Sequence, residues 1–277
     1  MEKEQIEIHN TIKEKKQRLL DLKEKLSGLI SKRDHLLITK KANLEAIYSL
    51  RIGKYEYKLV KAECDAARLR RKIELIQAQA NKGQEIDLEQ VQKVLENEYR
   101  EWEEKIRNLV ETIKKADSRL KSLLSPEDSR LIQKLYRKLV KLLHPDVNDD
   151  IGKMGKILWQ RLQDAYRLGD LEEIKMIDLL IDDDERQIKV GDAKKLDEVI
   201  KSYTGKMRQI SDQIINILSC FPFDIEQKLE DSKWVSRKVR GIEVKIKEKL
   251  EYIEELNHIV DLLILRNICT GGESCRG

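Results

Sequence analysis

The sequence predicts an all-α, elongated protein in which two long antiparallel helical hairpins flank a small helical module. Three observations carry this. Charged residues make up 38% of the chain and are nearly balanced, 55 Lys+Arg against 51 Asp+Glu for a net charge of +4. Such composition with few aromatics and few glycines is that of long helices with alternating-sign surfaces, not of a basic tail. Apolar residues recur three and four apart over long stretches, the period of one helix face. Only three prolines interrupt that period, Pro126, Pro145 and Pro222, and proline ends helices because it lacks an amide donor and clashes with the preceding turn.

The elements follow in order. From Ile12 to Leu36 a heptad seam runs through Ile12, Leu19 and Leu26 on one position and Leu22, Leu29 and Leu36 on the other, the pattern of a coiled coil. Nothing nearby offers this seam a partner, so self-association into a homo-oligomer is the expectation. Gly53 marks a weak point. Helicity resumes through Val60, Ala67, Ile73 and Ile76, and 81–87 reads as a hairpin turn. A return stripe then runs from Leu88 through Trp102 to Leu120. The hairpin arm is set at 1–122.

The segment 123–182 has shorter helices. Ser125 caps a helix with Pro126 in its first turn. Leu131, Ile132, Leu135, Leu139, Leu142 and Leu143 share one side, while Arg130, Lys134, Arg137, Lys138 and Lys141 share the other. Pro145 disfavours helical geometry at His144, so His144, Pro145 and Asp146 fall in a loop. A second helix carries Leu158, Trp159, Leu162, Ala165 and Tyr166. Gly169 stops it, and Asp170 caps a third. From 183 to 266 a second hairpin is expected. Its stripes run through Leu196–Ile217 and Ile225–Leu263, and Phe221-Pro222-Phe223 plugs its open end. A flexible tail closes the chain at 267–277.

The strings LYRKLVKLLHPDVN (135–148) and LWQRLQDAYRLGDLEE (158–173) resemble the second helix, His-Pro-Asp loop and third helix of the J-domain family of DnaJ-type co-chaperones. The resemblance implies a protein that docks on a DnaK-type chaperone and stimulates its ATP hydrolysis. It gives His144, Pro145 and Asp146 the trigger role, and Lys134, Arg137, Lys138 and Lys141 the docking role. The arms would bind client proteins or oligomerise. Three features depart from the family, one being that no Gly/Phe-rich linker or zinc-binding cysteine module follows the third helix. The family's first helix is not visible before Pro126, so the end of the arm around Leu120, Leu123 and Leu124 is expected in that place. Leu142 stands where many members carry a basic residue.

Each reading has a plainer rival. The tripeptide could be a simple helix-ending turn, and the basic stripe a solvated face. Trp102, Trp159 and Trp234 are expected to pack rather than to stack on a ligand. His9, His35 and His258 are expected at the surface. Asp182, Asp183 and Asp184 are expected to end or cap a helix rather than hold a metal. Cys64, Cys220, Cys269 and Cys275 are expected as free thiols. No phosphate-binding glycine loop, His-Glu-x-x-His or nucleophile elbow is present, so neither an enzyme nor a cofactor or metal is expected. Without an apolar run of about 18 residues or an apolar signal core, the expectation is a cytoplasmic protein with no membrane contact. A scaffold with a degenerate J-like fold is the second reading. Nucleic-acid binding through the basic helix is a weaker third.

Overall fold

The computed structural model describes residues 2–83, 85–148, 151–181 and 193–271. Among them every regular element is helical and none is a strand. The α-helices are α1 (Glu2–Asp34), α2 (Lys41–Tyr48), α3 (Lys54–Asn81), α4 (Leu88–Glu98), α5 (Arg100–Lys121), α6 (Pro126–Leu143), α7 (Gly152–Leu168), α8 (Leu171–Leu180), α9 (Ala193–Ser219), α10 (Glu226–Glu230) and α11 (Ser232–Gly271). Two wider π-helical segments, His35–Lys40 and Ser49–Gly53, follow α1 and α2. The second ends at the glycine marked as a weak point. No described helix is long and apolar enough to cross a membrane.

The chain forms two compact units. One joins residues 1–44 to 122–225, and the other joins 45–121 to 226–277. In the first, α9 lies along α1 and α6 also packs on α1, while α6, α7 and α8 pack on one another. Lys15 Nζ meets the Asp197 carboxylate at 2.6 Å and Arg33 Nη1 meets Gln213 Oε1 at 3.5 Å. Numbers rise together on both helices, so α1 and α9 run parallel. Leu19, Leu26, Ile30, Leu196, Ile200, Ile210 and Ile214 are buried in this unit. Each fully buried aliphatic side chain contributes about 1.5–3 kcal/mol of burial free energy.

In the second unit, α11 lies along α3, and α4 and α5 also pack on α3. The guanidinium of Arg51 donates to the Leu229 carbonyl, and further along Ile73 and Ile76 share a core with Leu256 and Val260. This pair too is parallel. By contrast, Gln79–Gln90, Arg71–Glu98 and Arg68–Glu103 pair falling numbers with rising ones. The return helices α4 and α5 therefore run antiparallel to α3. Asp87 starts α4 by accepting the Gln90 amide at 2.8 Å, satisfying one of the donors a helix start leaves open.

These units differ from the expected segments 1–122, 123–182 and 183–266. The first arm is divided at 44/45. The two stripes of the second hairpin belong to different units, because α9 finds its apolar partner in α1 and α11 finds its own in α3. A heptad stripe specifies that a partner exists, not which stripe it is. The seam at 12–36 is accordingly covered within the chain. Leu19, Leu26 and Leu36 are buried, and Ile12, Leu22 and Leu29 are half-buried, which removes the reason for expecting self-association there. Of the two aromatics flanking Pro222, Phe223 is buried and Phe221 is 49% exposed. Asp182, Asp183, Asp184, Cys275, the side chains of His9 and Cys269, and the tail beyond 271, for which expectations are given above, lie outside the described residues. Cys64 is a buried and Cys220 an exposed free thiol.

Candidate docking site at the break between two helices

The site is made by a helix that is started and stopped by its own sequence. Ser125 Oγ accepts the Asp128 amide at 3.0 Å and Pro126 occupies the first turn of α6. At the other end His144 takes extended backbone angles, as its place before Pro145 requires. The amides of Val147 and Asn148 both return to the His144 carbonyl, at 3.0 and 2.9 Å. The Asn148 side-chain amide donates to the carbonyls of Lys141 and Leu142, at 2.7 and 2.8 Å. Those carbonyls have no intrahelical partner at a helix end, so Asn148 closes α6.

The three residues of the tripeptide part company. His144 turns inward, 8% exposed, edge-on to Trp159 with ring centroids 4.8 Å apart. Its Nδ1 accepts the Asp146 amide at 3.0 Å, which places the ring proton on Nε2. Burial holds the imidazole below its ordinary pKa against the opposing pull of Asp146 and Asp34. Pro145 is exposed. The Asp146 side chain is about half-exposed (49%), with Lys206 Nζ 3.7 Å from its carboxylate and 3.2 Å from its carbonyl. Tyr203, buried on α9, donates its hydroxyl to the Val147 carbonyl at 2.7 Å. Two cations of unit one, Lys23 and Lys206, stand over the Tyr203 ring. The loop is therefore held from α9 as well as from α6.

The basic stripe is exposed and partly answered by acids of the same unit. Glu24 on α1 meets Arg137 at 2.9 Å and Lys141 at 3.0 Å, and this bond to Lys141 holds its carboxyl below the usual carboxylate range. The Arg137 guanidinium rests against α1 at Gly28, where a Cβ would come within 3.3 Å of it. Lys138 pairs with Asp178 of α8 at 2.9 Å, an ion pair without hydrogen-bond alignment. Lys134 stands outside these pairs and is exposed. Exposed pairs of this kind are worth about 0.2–1 kcal/mol each.

Beneath the site lies a polar network that ties α1 to the module. Buried Tyr136 donates to Asp34 at 2.9 Å, and Arg33 holds the other oxygen of that carboxylate. The Tyr136 ring stacks on Tyr166 at 3.9 Å between centroids, and Tyr166 meets His35 Nδ1 at 3.2 Å. Burial pushes the Tyr166 hydroxyl up to about 12 and lowers His35. His35 is therefore a half-buried partner of the module, not a surface residue. The π-helical turn after Asp34, a feature that often marks functional positions, faces α7. The helix that supports α6 is thus α1. The leucines expected there, Leu123 and Leu124, are 52% and 41% exposed. Of the tryptophans, Trp159 packs against His144 and Tyr136, Trp234 is half-buried and Trp102 is exposed.

The structure brings His144, Pro145, Asp146, Arg137, Lys138, Lys141 and Lys134 onto one helix and its following loop. Sequence reasoning missed Glu24, Tyr203 and Lys206. Tyr203 could be seen only as a member of an apolar stripe, and neither charge carries a motif. Among the described residues no group of three or more His, Cys, Asp or Glu side chains is placed to hold a metal. No family model matches the chain, and neither the curated proteins nor the solved structures yield a match.

Proposed function

We propose that the chain is a J-domain-type co-chaperone that docks on a DnaK-type chaperone through α6 and the loop at 144–148 and stimulates its ATP hydrolysis. The observation that supports this reading best is the geometry of the break. A cationic helix ends on an exposed proline and a half-exposed carboxylate, and the imidazole before them is anchored inward and keeps the turn in shape. A carboxylate in that position can accept a short charge-assisted bond from a partner's arginine. The lysines and arginines beside it steer an acidic surface toward it. Proline and the Asn148 cap limit the loop's freedom beforehand, which lowers the ordering cost of docking. The helices outside the α6–α8 module would bind client proteins.

A second reading has an observation of its own. The Tyr203 bond to Val147 and the Lys206 contact with Asp146 are internal uses for the loop, as expected of a scaffold whose J-like fold drives no ATPase. Steady-state ATP hydrolysis by a DnaK-type chaperone, with and without this protein, separates the two. The co-chaperone reading expects stimulation that disappears in His144→Gln and in Asp146→Asn. Equal rates with and without the unmodified protein would leave the scaffold.

A further inference from the structure

Each charge that the α6 face would offer to a partner, Arg130 and Lys134 apart, already has an opposite charge from the same chain. Glu24 lies between Arg137 and Lys141, within 3.0 Å of both. It is where a carboxylate of a docking protein would sit. Lys206 stands over Asp146, where a docking protein's arginine would sit. We infer that Glu24 and Lys206 are built-in competitors, so that an acidic partner docks on this face by charge exchange rather than by meeting a bare basic stripe.

The inference takes from the proposed function only that the partner of this face is acidic and carries a cation for Asp146. The competitors are weak enough to be displaced, since the side chains of these three pairs are 31–54% exposed and single exposed pairs contribute little. They are also held where they are. Glu24 is on α1, whose neighbouring Leu26 and Ile30 are fully buried. Lys206 is one turn from buried Tyr203 on α9. The exchange is therefore of side chains, with the helices in place. Two properties follow. Docking releases fewer counterions than four exposed cations would, so its salt dependence is shallow. It also discriminates, because a partner with carboxylates but no cation for Asp146 exchanges with Glu24 alone and leaves Lys206 in place.

The test uses the full chain and, as an acidic probe, short poly-L-glutamate, read by amide shifts at 134–148 over a range of salt. Glu24→Gln should tighten binding by about two- to five-fold at low salt, the range of one exposed ion pair, and steepen the salt dependence. Lys141→Gln should weaken it. In the chaperone ATPase assay, Glu24→Gln and Lys206→Gln should each lower the half-stimulating concentration by a similar factor. Unchanged poly-L-glutamate binding and salt slope in Glu24→Gln would overturn the inference. Tighter binding by Glu24→Gln, together with no ATPase stimulation by any variant, would uphold charge exchange and remove the chaperone as the partner.

Discussion

Removing one hydroxyl, Tyr203→Phe, isolates what α9 does for the loop. The Tyr203 oxygen lies 2.7 Å from the Val147 carbonyl, and Tyr203 and Val147 are 3% and 0% exposed. The ring and its packing stay, so no cavity term arises. What is lost is one hydrogen bond, worth about 0.5–1.5 kcal/mol net, plus the penalty of leaving a buried carbonyl short of a donor, about 1–3 kcal/mol when nothing replaces it. Water can enter where Asp146 is half-exposed, so a loss near the lower end, about 1–2 kcal/mol, is expected. The amides of Val147 and Asn148 both bond to the His144 carbonyl and report directly on the loop. Their hydrogen exchange should speed up by about five- to thirty-fold, the same free energy expressed as an opening equilibrium. Amides in α3 and α11, in the other unit, should not change. Unaltered exchange at both loop amides would show that α9 does not hold the loop and would refute the reasoning.

Mild acid should weaken the first unit. His144 and His35 both have lowered pKa values, mainly by burial, so the unfolded chain takes up protons first. Their contribution is complete above the ordinary histidine value of about 6.5 and is lost as pH falls below it toward the folded values. Urea midpoints should therefore fall between pH 7.5 and 5.5, and by less in His35→Gln. Gly169→Ala should cost about 1–2 kcal/mol for the left-handed backbone, because φ is +72° there, and more for the Leu124 methyl 3.0 Å from the new Cβ. Gly83→Ala, at φ +66° with open space around it, should show the backbone part alone in the same denaturation measurement. Ile76→Ala, in the core formed with Val91, Leu95, Leu256 and Val260, should cost about 2–5 kcal/mol. It should also lower exchange protection in α11. Retained protection there would mean that α11 does not depend on α3.

The helices themselves were legible because their signals are local. Ser125-Pro126 starts α6, Pro145 ends it, and Gly169 with Asp170 separates α7 from α8, as cap and turn chemistry requires. Which helix meets which was not legible. The stripes of α1, α3, α9 and α11 are interchangeable as patterns, and short turns made sequence neighbours look like the natural partners. The site divides in the same way. His144, Pro145, Asp146 and the α6 cations could be named because they share a contiguous motif. Glu24, Tyr203 and Lys206 could not, because their roles arise from contacts over a hundred or fifty residues away along the chain.

The two parallel pairings also set an order of events during synthesis. A parallel partner cannot arrive through a tight turn, so the part of α1 that α9 covers waits until α9 has left the ribosome, and the Ile73 and Ile76 core, begun with Val91 and Leu95, is completed only by residues near 256. Contacts of such long sequence separation make folding slow, and the waiting apolar faces are open to aggregation meanwhile. A nascent chain halted before 193 would thus present the α9-facing part of the leucine seam to any holding factor in reach.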